Sequence, residues 1–302
     1  MLPSLQRRLN KLTGKLWRSY VKRRHIAAVL DSVPLDATIL EIGGGYNPRY
    51  VKATHPNVYH LDHGTTEELR AKYAAFALTA SLIHRIQPID FVFDGSPIET
   101  LIPPALRFDI IYGSHVLEHQ VDLIGHLQSL ESLLKPGARV IEMIPDLRTT
   151  FDALRYPTVT ADALSAHLGV TAAHTGRQVF DGMSREIDKN HGYRMRDADF
   201  DGVQFAHSLR SAFDAMRSAE APGRPYTDLH AWTFTPESLR LLMIELRLLD
   251  LTRLKASWVS PSYGNQFCAV LERADEDLAS LSPANLLALG RERLALSRQL
   301  RL

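Results

Sequence analysis

Apolar positions along the chain change period in a regular order, and the changes mark the elements. Short, nearly continuous apolar runs at Thr38–Ile42, Val58–Leu61, Phe91–Phe93, Phe108–Tyr112 and Arg139–Ile144 predict five buried strands. Helical spacing fills the intervals at Ile26–Ser32, Thr66–Ala80 and Val116–Leu134. Glu67 and Glu68 suit the first turn of the second of these helices, and Lys135-Pro136-Gly137 stops the third. Such alternation predicts a mostly parallel sheet with right-handed crossovers. The regularity fails over Leu147–Thr233, where helical patches occur without a clean strand. It resumes at Thr235-Pro236-Glu237, a threonine cap with proline at the first helical position, leading Ser238–Leu246. Leu249–Trp258 and Gln266–Glu272, separated by a turn-forming Ser260–Asn265 stretch, predict a hairpin, and Leu278–Leu302 an amphipathic helical tail. No internal repeat or low-complexity tract interrupts this order.

Composition narrows the class. With 302 residues, 45% hydrophobic and 23% charged, the chain can bury a full core as one large domain with insertions. The pattern divides it into an arm at 1–24, a first half of the sheet at 25–146, an insert at 147–234, a second half at 235–275 and a tail at 276–302. A formal net charge of +1 supplies no global field for nucleic acid or an anionic membrane. The arm is different. It carries eight lysines and arginines and no acid, with Leu5, Leu9, Leu12 and Leu16 at helical spacing. It reads as a cationic helix capping the domain, or as a weak peripheral contact with anionic lipid; nucleic acid is a weaker third reading, because basic charge is confined to these residues. The arm lacks the continuous apolar core and cleavage site of a secretory signal, and no segment approaches the roughly 20 apolar residues of a membrane span. Cys268 lies in the apolar run Phe267–Leu271, which predicts a buried thiol; as the single cysteine it allows no intrachain disulfide. Cytoplasm is the expected compartment.

The candidate chemistry gathers at strand ends. Thr38–Ile42 contains Glu41 and runs directly into Gly43-Gly44-Gly45, residues that let a backbone approach a ligand and adopt φ > 0. In an open α/β sheet this is where a nucleotide-like cofactor sits. Asp62 closes the second strand, Asp94-Gly95 follow the third, and Ser114-His115 with Glu118-His119 follow the fourth, so all four ends read as one cofactor site. A nicotinamide dinucleotide competes, since Asp62 lies 19 residues beyond Gly43, near the spacing of a ribose-binding acid. No glycine occupies position 46, 47 or 48, however, and such a site has no need of Glu41 or Asp94-Gly95. His115-Val-Leu-Glu118-His119 also matches a zinc-protease spelling that nothing else in the chain supports. On one helix, at about 100° per residue, His115, Glu118, His119, Asp122 and His126 form a single stripe, either the polar face of an amphipathic helix or a divalent metal site. The polar face is the expectation, and no metal ligand is assigned.

Taken in order, Leu40-Glu41-Ile42-Gly43-Gly44-Gly45, Asp62, Asp94-Gly95, Phe108-Asp109-Ile-Ile-Tyr-Gly-Ser114-His115-Val-Leu-Glu118-His119 and Leu133-Leu134-Lys135-Pro136-Gly137 resemble the class I S-adenosylmethionine-dependent methyltransferases. The nearest look is to a bacterial small-molecule branch whose fourth motif reads Ser-His-Val-Leu-Glu-His. The match spans residues 36–146, with the hairpin at 249–272 as weaker support. The resemblance implies a Rossmann-like, seven-stranded α/β sheet: five parallel strands plus a C-terminal antiparallel hairpin, helices on both faces, and an inserted helical lid. It implies S-adenosylmethionine as cofactor. Glu41, Gly43, Gly44 and Gly45 would hold the methionine end, Asp62 the ribose hydroxyls, and Asp94 with Gly95 and Ser96 the adenine, while Ser114 and His115 close the site. The chain departs from the family's glycine pattern at Asn47, where the third glycine is replaced by a residue that tolerates a left-handed backbone. Some methyltransferases place a Glu-x-x-Glu-His metal site at the fourth motif; here its first residue is His115.

Methyl transfer asks a protein to align an acceptor, exclude water and, where needed, remove a proton. The insert offers Arg148, Arg155, His174, His191, Tyr193, Arg194, His207, His230 and Trp232, with His230-Ala-Trp232-Thr233 as the acceptor-side candidate. His115 and His119 are the candidate bases near the cofactor, which makes His115, His119 and His230 the expected catalytic set. Histidine bases suit a hydroxyl, so the expected acceptor is a hydroxyl of a small molecule or glycan. Association with surface-polysaccharide enzymes favours the glycan. Two alternatives stand beside this: a catalytically silent methyltransferase-like binding module, and a metal-assisted O-methyltransferase using His115, Glu118 and His119.

Overall fold

The computed structural model describes residues 23–76, 79–169, 173–188, 203–221, 223 and 226–300. The arm at 1–22, and with it most of the basic cluster, lies outside these residues, as do His191, Tyr193 and Arg194.

A seven-stranded sheet organises the chain: β1 (Ile39–Ile42), β2 (Val58–Asp62), β3 (Phe91–Val92), β4 (Phe108–Ser114), β5 (Leu134–Pro145), β6 (Leu254–Val259) and β7 (Gln266–Arg273). The spatial order is β3-β2-β1-β4-β5-β7-β6. β1 to β5 pair in parallel, and β7 runs antiparallel to both β5 and β6. Five parallel strands closed by an antiparallel hairpin is the Rossmann-like architecture expected.

Two-residue periodicity sends alternate side chains to opposite faces. Leu40, Ile42 and Ile111 join one core with α5 (Leu123–Leu133) and α9 (Pro236–Leu248). Ile39, Ile110 and Tyr112 join a second core with Tyr50 and with Ile26 of α1, a helix over residues 23–31. Remaining helices are α2 (Thr66–Ala75), α3 (Ala80–Ile83), α4 (Ile98–Leu101), α6 (Thr160–Gly169), α7 (Gly176–Ser184), α8 (Leu209–Ala219) and α10 (Pro283–Gln299). The described part of the insert carries α6, α7 and α8, together with non-helical segments that include an antiparallel bridge between Ile187 and Phe205. Among the described residues no helix is long and apolar enough to cross a membrane, and Cys268 is buried.

Several element boundaries differ from the sequence pattern, each for a local reason. The continuous helix expected over Val116–Leu134 does not form. His115 adopts φ 57°, a left-handed backbone that no helix continues. One 3-10 turn over Leu117–His119 follows, and α5 begins only after Asp122, whose carboxylate caps the Gly125 N–H at 3.0 Å. The stripe of His115, Glu118, His119, Asp122 and His126 therefore does not exist as one helical face. Leu134, read as the end of that helix, and Lys135-Pro136-Gly137, read as its breaker, are already the start of β5. The helix expected over Thr66–Ala80 ends at Ala75. The strand expected from Leu249 starts at Leu254, because α9 runs to Leu248 and unwinds through Asp250 at φ 57°.

Candidate functional site

The carboxyl ends of β1, β2 and β4 meet around the glycine turn. Gly43 and Gly45 carry its left-handed backbone, at φ 68° and 48°. Asn47, expected to take that role, instead donates its N–H to the Gly44 carbonyl at 2.9 Å and closes the turn. A Cβ on Gly43 would stand 2.7 Å from Val116 Cγ2, and one on Gly45 2.8 Å from the Tyr73 hydroxyl, so both positions require the missing side chain. Tyr46 and Tyr73 meet edge to face beside the turn at 4.9 Å.

Glu41 is buried, and its two oxygens accept the Arg49 and Tyr50 N–H groups at 2.7 and 2.8 Å. Burial outweighs these bonds and pushes the carboxyl up to about 7. Glu41 Oε1 also lies 3.2 Å from where a Gly44 Cβ would stand, so the acid braces the glycine turn from beneath. Asp62 is buried too. Its oxygens accept the Gly45 N–H at 3.1 Å and the His63 N–H at 2.8 Å, and His63 Nδ1 lies 2.6 Å away. Burial alone would raise this carboxyl; His63 and the Gly45 N–H hold it below the usual range. Asp94 is exposed and accepts the Ser96 N–H at 2.9 Å, while Gly95 takes φ 94° with open space around it. Ser114 ends β4, and His115 Nε2 lies 2.7 Å from the Gln266 side chain on β7.

A second constellation adjoins the first through the 3-10 turn. The segment before α9 docks on that turn: the Trp232 N–H donates to the Glu118 carbonyl at 3.1 Å, and the Trp232 indole donates to the Gln120 carbonyl. This brings His230 beside His119, the rings edge to face at 4.8 Å. His230 Nδ1 is 2.6 Å from the buried Asp152 carboxylate. Arg155 pins Asp152 at 2.8 Å, Asp181 at 2.8 Å and the His230 carbonyl at 2.7 Å. Burial would push Asp152 up, but His230 and Arg155 hold it down. His119 Nδ1 faces Asp228 Oδ1 at 3.1 Å. Burial opposes the His119 charge, yet Asp228 and Glu118 together hold its pKa above the ordinary value, and Asp228 is held down at about 2.

These groups line a cavity of about 230 Å³ together with Phe151, Met183, Glu186 and Leu229. Behind it lie two carboxyls, Glu118 and Glu142, whose oxygens have no hydrogen-bond partner among the described residues. Burial and the neighbouring Glu118 push Glu142 up to about 8. Tyr73 joins the two constellations, since Asp62 and Asp228 both act on its phenol after burial has raised it. A wider depression of about 500 Å³ lies near the amino ends of β2 and β3, lined by Tyr59, Phe91 and Leu106, and gathers no comparable set.

Of the insert's candidates, His230 reaches the cavity with its side chain and Trp232 does not. Trp232 is a core residue held by Gln120. Arg155 serves as a clamp, Arg148 pairs with Asp146, and the buried His174 bonds the His119 and Thr227 carbonyls. His207 pairs with Glu186. Asp152, Asp228 and Glu142 were missed as isolated acids in the sequence; the only local signal is the spacing of Asp152 to Arg155, three residues apart.

A family model described as a methyltransferase domain matches residues 15–245. No curated protein matches the chain. Among solved structures it is similar to the mitomycin 7-O-methyltransferase MmcR, at 15% identity over 91% of this chain and 59% of that one, with a TM-score of 0.34. It is also similar to the CcbJ methyltransferase from Streptomyces caelestis, at 11% identity over 84% and 94% of the two chains and a TM-score of 0.40. Similarity to the glycopeptide N-methyltransferase MtfA covers 42% of this chain and 53% of that one, at 16% identity and a TM-score of 0.28. The chain thus spans between half and three-fifths of the length of MmcR and MtfA.

Proposed function

The chain belongs to the methyltransferase domain family, and we propose that it moves a methyl group from S-adenosylmethionine to a hydroxyl of a small molecule or glycan held in the His119–His230 cavity. When bound, this cofactor supplies a methyl group already activated on a sulfonium, so the protein's work is alignment, exclusion of water and handling of one proton.

The residues around the glycine turn fit the cofactor. Gly43 and Gly45 form a cradle that any side chain would fill, and in this reading the buried Asp62 carboxylate at the end of β2 accepts two vicinal hydroxyls. In this reading Glu41 shapes the methionine end by bracing Gly44 and the Arg49–Tyr50 backbone. Asp94, free in solvent apart from Ser96, takes the adenine amino group with Gly95 beside it, and Ser114 and His115 wall the β4 side.

One observation carries the acceptor assignment. His119 and His230 each turn Nδ1 to a carboxylate, Asp228 or Asp152, and direct Nε2 toward Glu118. The Asp152 carboxylate on Nδ1 fixes the His230 tautomer and leaves its Nε2 with a lone pair that can activate a hydroxyl. The test uses a labelled methyl donor with panels of hydroxyl-bearing sugars, lipid-linked glycans, phenols and amines. His230→Gln should abolish labelling of the accepted class while leaving S-adenosylhomocysteine affinity unchanged. Labelling of amines alone, or full turnover by His230→Gln, would overturn the assignment.

A further inference from the structure

We propose that Glu118, His119 and His230 form a binding site for one divalent first-row transition ion, open to the acceptor cavity. The inference rests on the reading of that cavity as the acceptor site, and deepens it.

Glu118 is the starting point. Its side chain is 1% exposed, and neither carboxylate oxygen has a hydrogen bond among the described residues. A buried carboxylate in that condition is strongly disfavoured as an anion unless it takes a proton or binds a cation. What it faces are imidazole nitrogens: His115 Nδ1 at 3.6 Å, and His119 Nε2 and His230 Nε2, each 3.9 Å from Glu118 Oε1. That separation is too long for a hydrogen bond, and it suits groups that share an ion between them. One ligand atom from each residue lies within 4.8 Å of the other two.

His230 is already oriented as a ligand. A metal-binding imidazole characteristically gives its second nitrogen to a carboxylate, which fixes the ring and raises its basicity. Asp152 does this for His230 at 2.6 Å, itself clamped by Arg155; Asp228 lies 3.1 Å from His119 Nδ1 without the geometry of a hydrogen bond. The three first ligands come from the turn after β4 and the segment before α9, and the main-chain bond from Trp232 to Glu118 holds those segments in register. Glu142 is a second buried carboxyl whose oxygens have no hydrogen-bond partner among the described residues.

Two imidazoles and one carboxylate select zinc, manganese, cobalt or ferrous iron over magnesium and calcium, which prefer all-oxygen shells. They also leave coordination positions open toward the cavity. An acceptor hydroxyl bound there would lose its proton to solvent more readily, because a cation lowers the pKa of a bound hydroxyl. With the ion present, the histidines activate the acceptor through it rather than by taking the proton themselves. His115, which began the sequence stripe, brings Nδ1 to 3.6 Å from Glu118 Oε1 and gives Nε2 to Gln266, but it is not one of the three residues whose ligand atoms all lie within 4.8 Å of one another.

The test strips the full-length protein with EDTA and titrates Co²⁺, read by its visible d–d absorption and by metal analysis after gel filtration. Wild type should take up one equivalent per chain. Glu118→Gln and His230→Gln should lose saturable uptake, Asp152→Asn should weaken it by about 10- to 100-fold, and His115→Gln should bind as wild type. Absence of stoichiometric uptake by wild type, or undiminished uptake by both ligand variants, overturns the site. Far-UV circular dichroism checks each fold; should Glu118→Gln misfold, wild-type stoichiometry and His230→Gln decide the matter. S-adenosylhomocysteine affinity is measured on the same samples. Its binding without Co²⁺ uptake overturns the metal site alone, and Co²⁺ uptake without its binding supports the site while overturning the methyltransferase reading.

Discussion

His126 provides a test that needs no substrate. The residue sits inside α5, buried, with Nε2 lacking a partner among the described residues. Burial outweighs the pull of Asp122 and lowers its pKa from 6.5 to about 4. The folded state therefore refuses a proton that the unfolded chain accepts. Stability from this group is complete above pH 6.5 and falls as pH drops from 6.5 toward 4, by about 3 kcal/mol in all. His126→Leu fills the site without titrating, so its stability curve should lack this component. Urea unfolding of the cofactor-free protein, followed by tryptophan fluorescence at pH 7.5 and pH 4.5, gives the difference between variant and wild type at each pH. That difference should move by about 2 to 3 kcal/mol in favour of the variant on acidification. His60, also buried and lowered to about 4, adds a similar acid loss to both proteins and cancels in the comparison. Parallel curves, or a shift favouring wild type in acid, would refute the buried neutral histidine.

Three further outcomes follow from single positions. Gly43→Ala combines φ 68° with a 2.7 Å approach to Val116, so it should cost about 1 to 3 kcal/mol in urea unfolding and weaken S-adenosylhomocysteine binding. Asp250→Gly, at φ 57° beyond α9, should raise stability by about 1 kcal/mol by the same measurement; a loss would contradict the left-handed terminus. Asp152→Asn removes the charge that orients His230, and should lower turnover by about 100-fold with little change in cofactor affinity; equal losses in both would make Asp152 a structural residue only.

The legible part of the chain is the part governed by local rules. Buried parallel strands are nearly continuous apolar runs, so β1, β2, β4 and β5 stand out, and with them Glu41 and Asp62; the run at Phe91–Phe93 yields only a two-residue edge strand with Val92 and Phe93 exposed. Helix limits were less legible because single residues decide them: a left-handed His115 and the Asp122 cap divide what periodicity reads as one helix. The cavity was hardly legible. His230 meets Asp152 across 78 positions, and its approach to Glu118 depends on a main-chain bond from Trp232 that leaves no pattern in the sequence. Trp232 itself looked like an acceptor contact, and packing claimed it for the core.

The most direct measurement of the central claim is calorimetric titration of wild type and Asp62→Ala with S-adenosylhomocysteine, beside NAD. The account predicts micromolar binding by wild type, no signal with NAD, and affinity at least about tenfold weaker in the variant, the size expected for losing charge-assisted bonds to two hydroxyls. Silence from wild type with S-adenosylhomocysteine, or equal affinity of the two proteins, would contradict it.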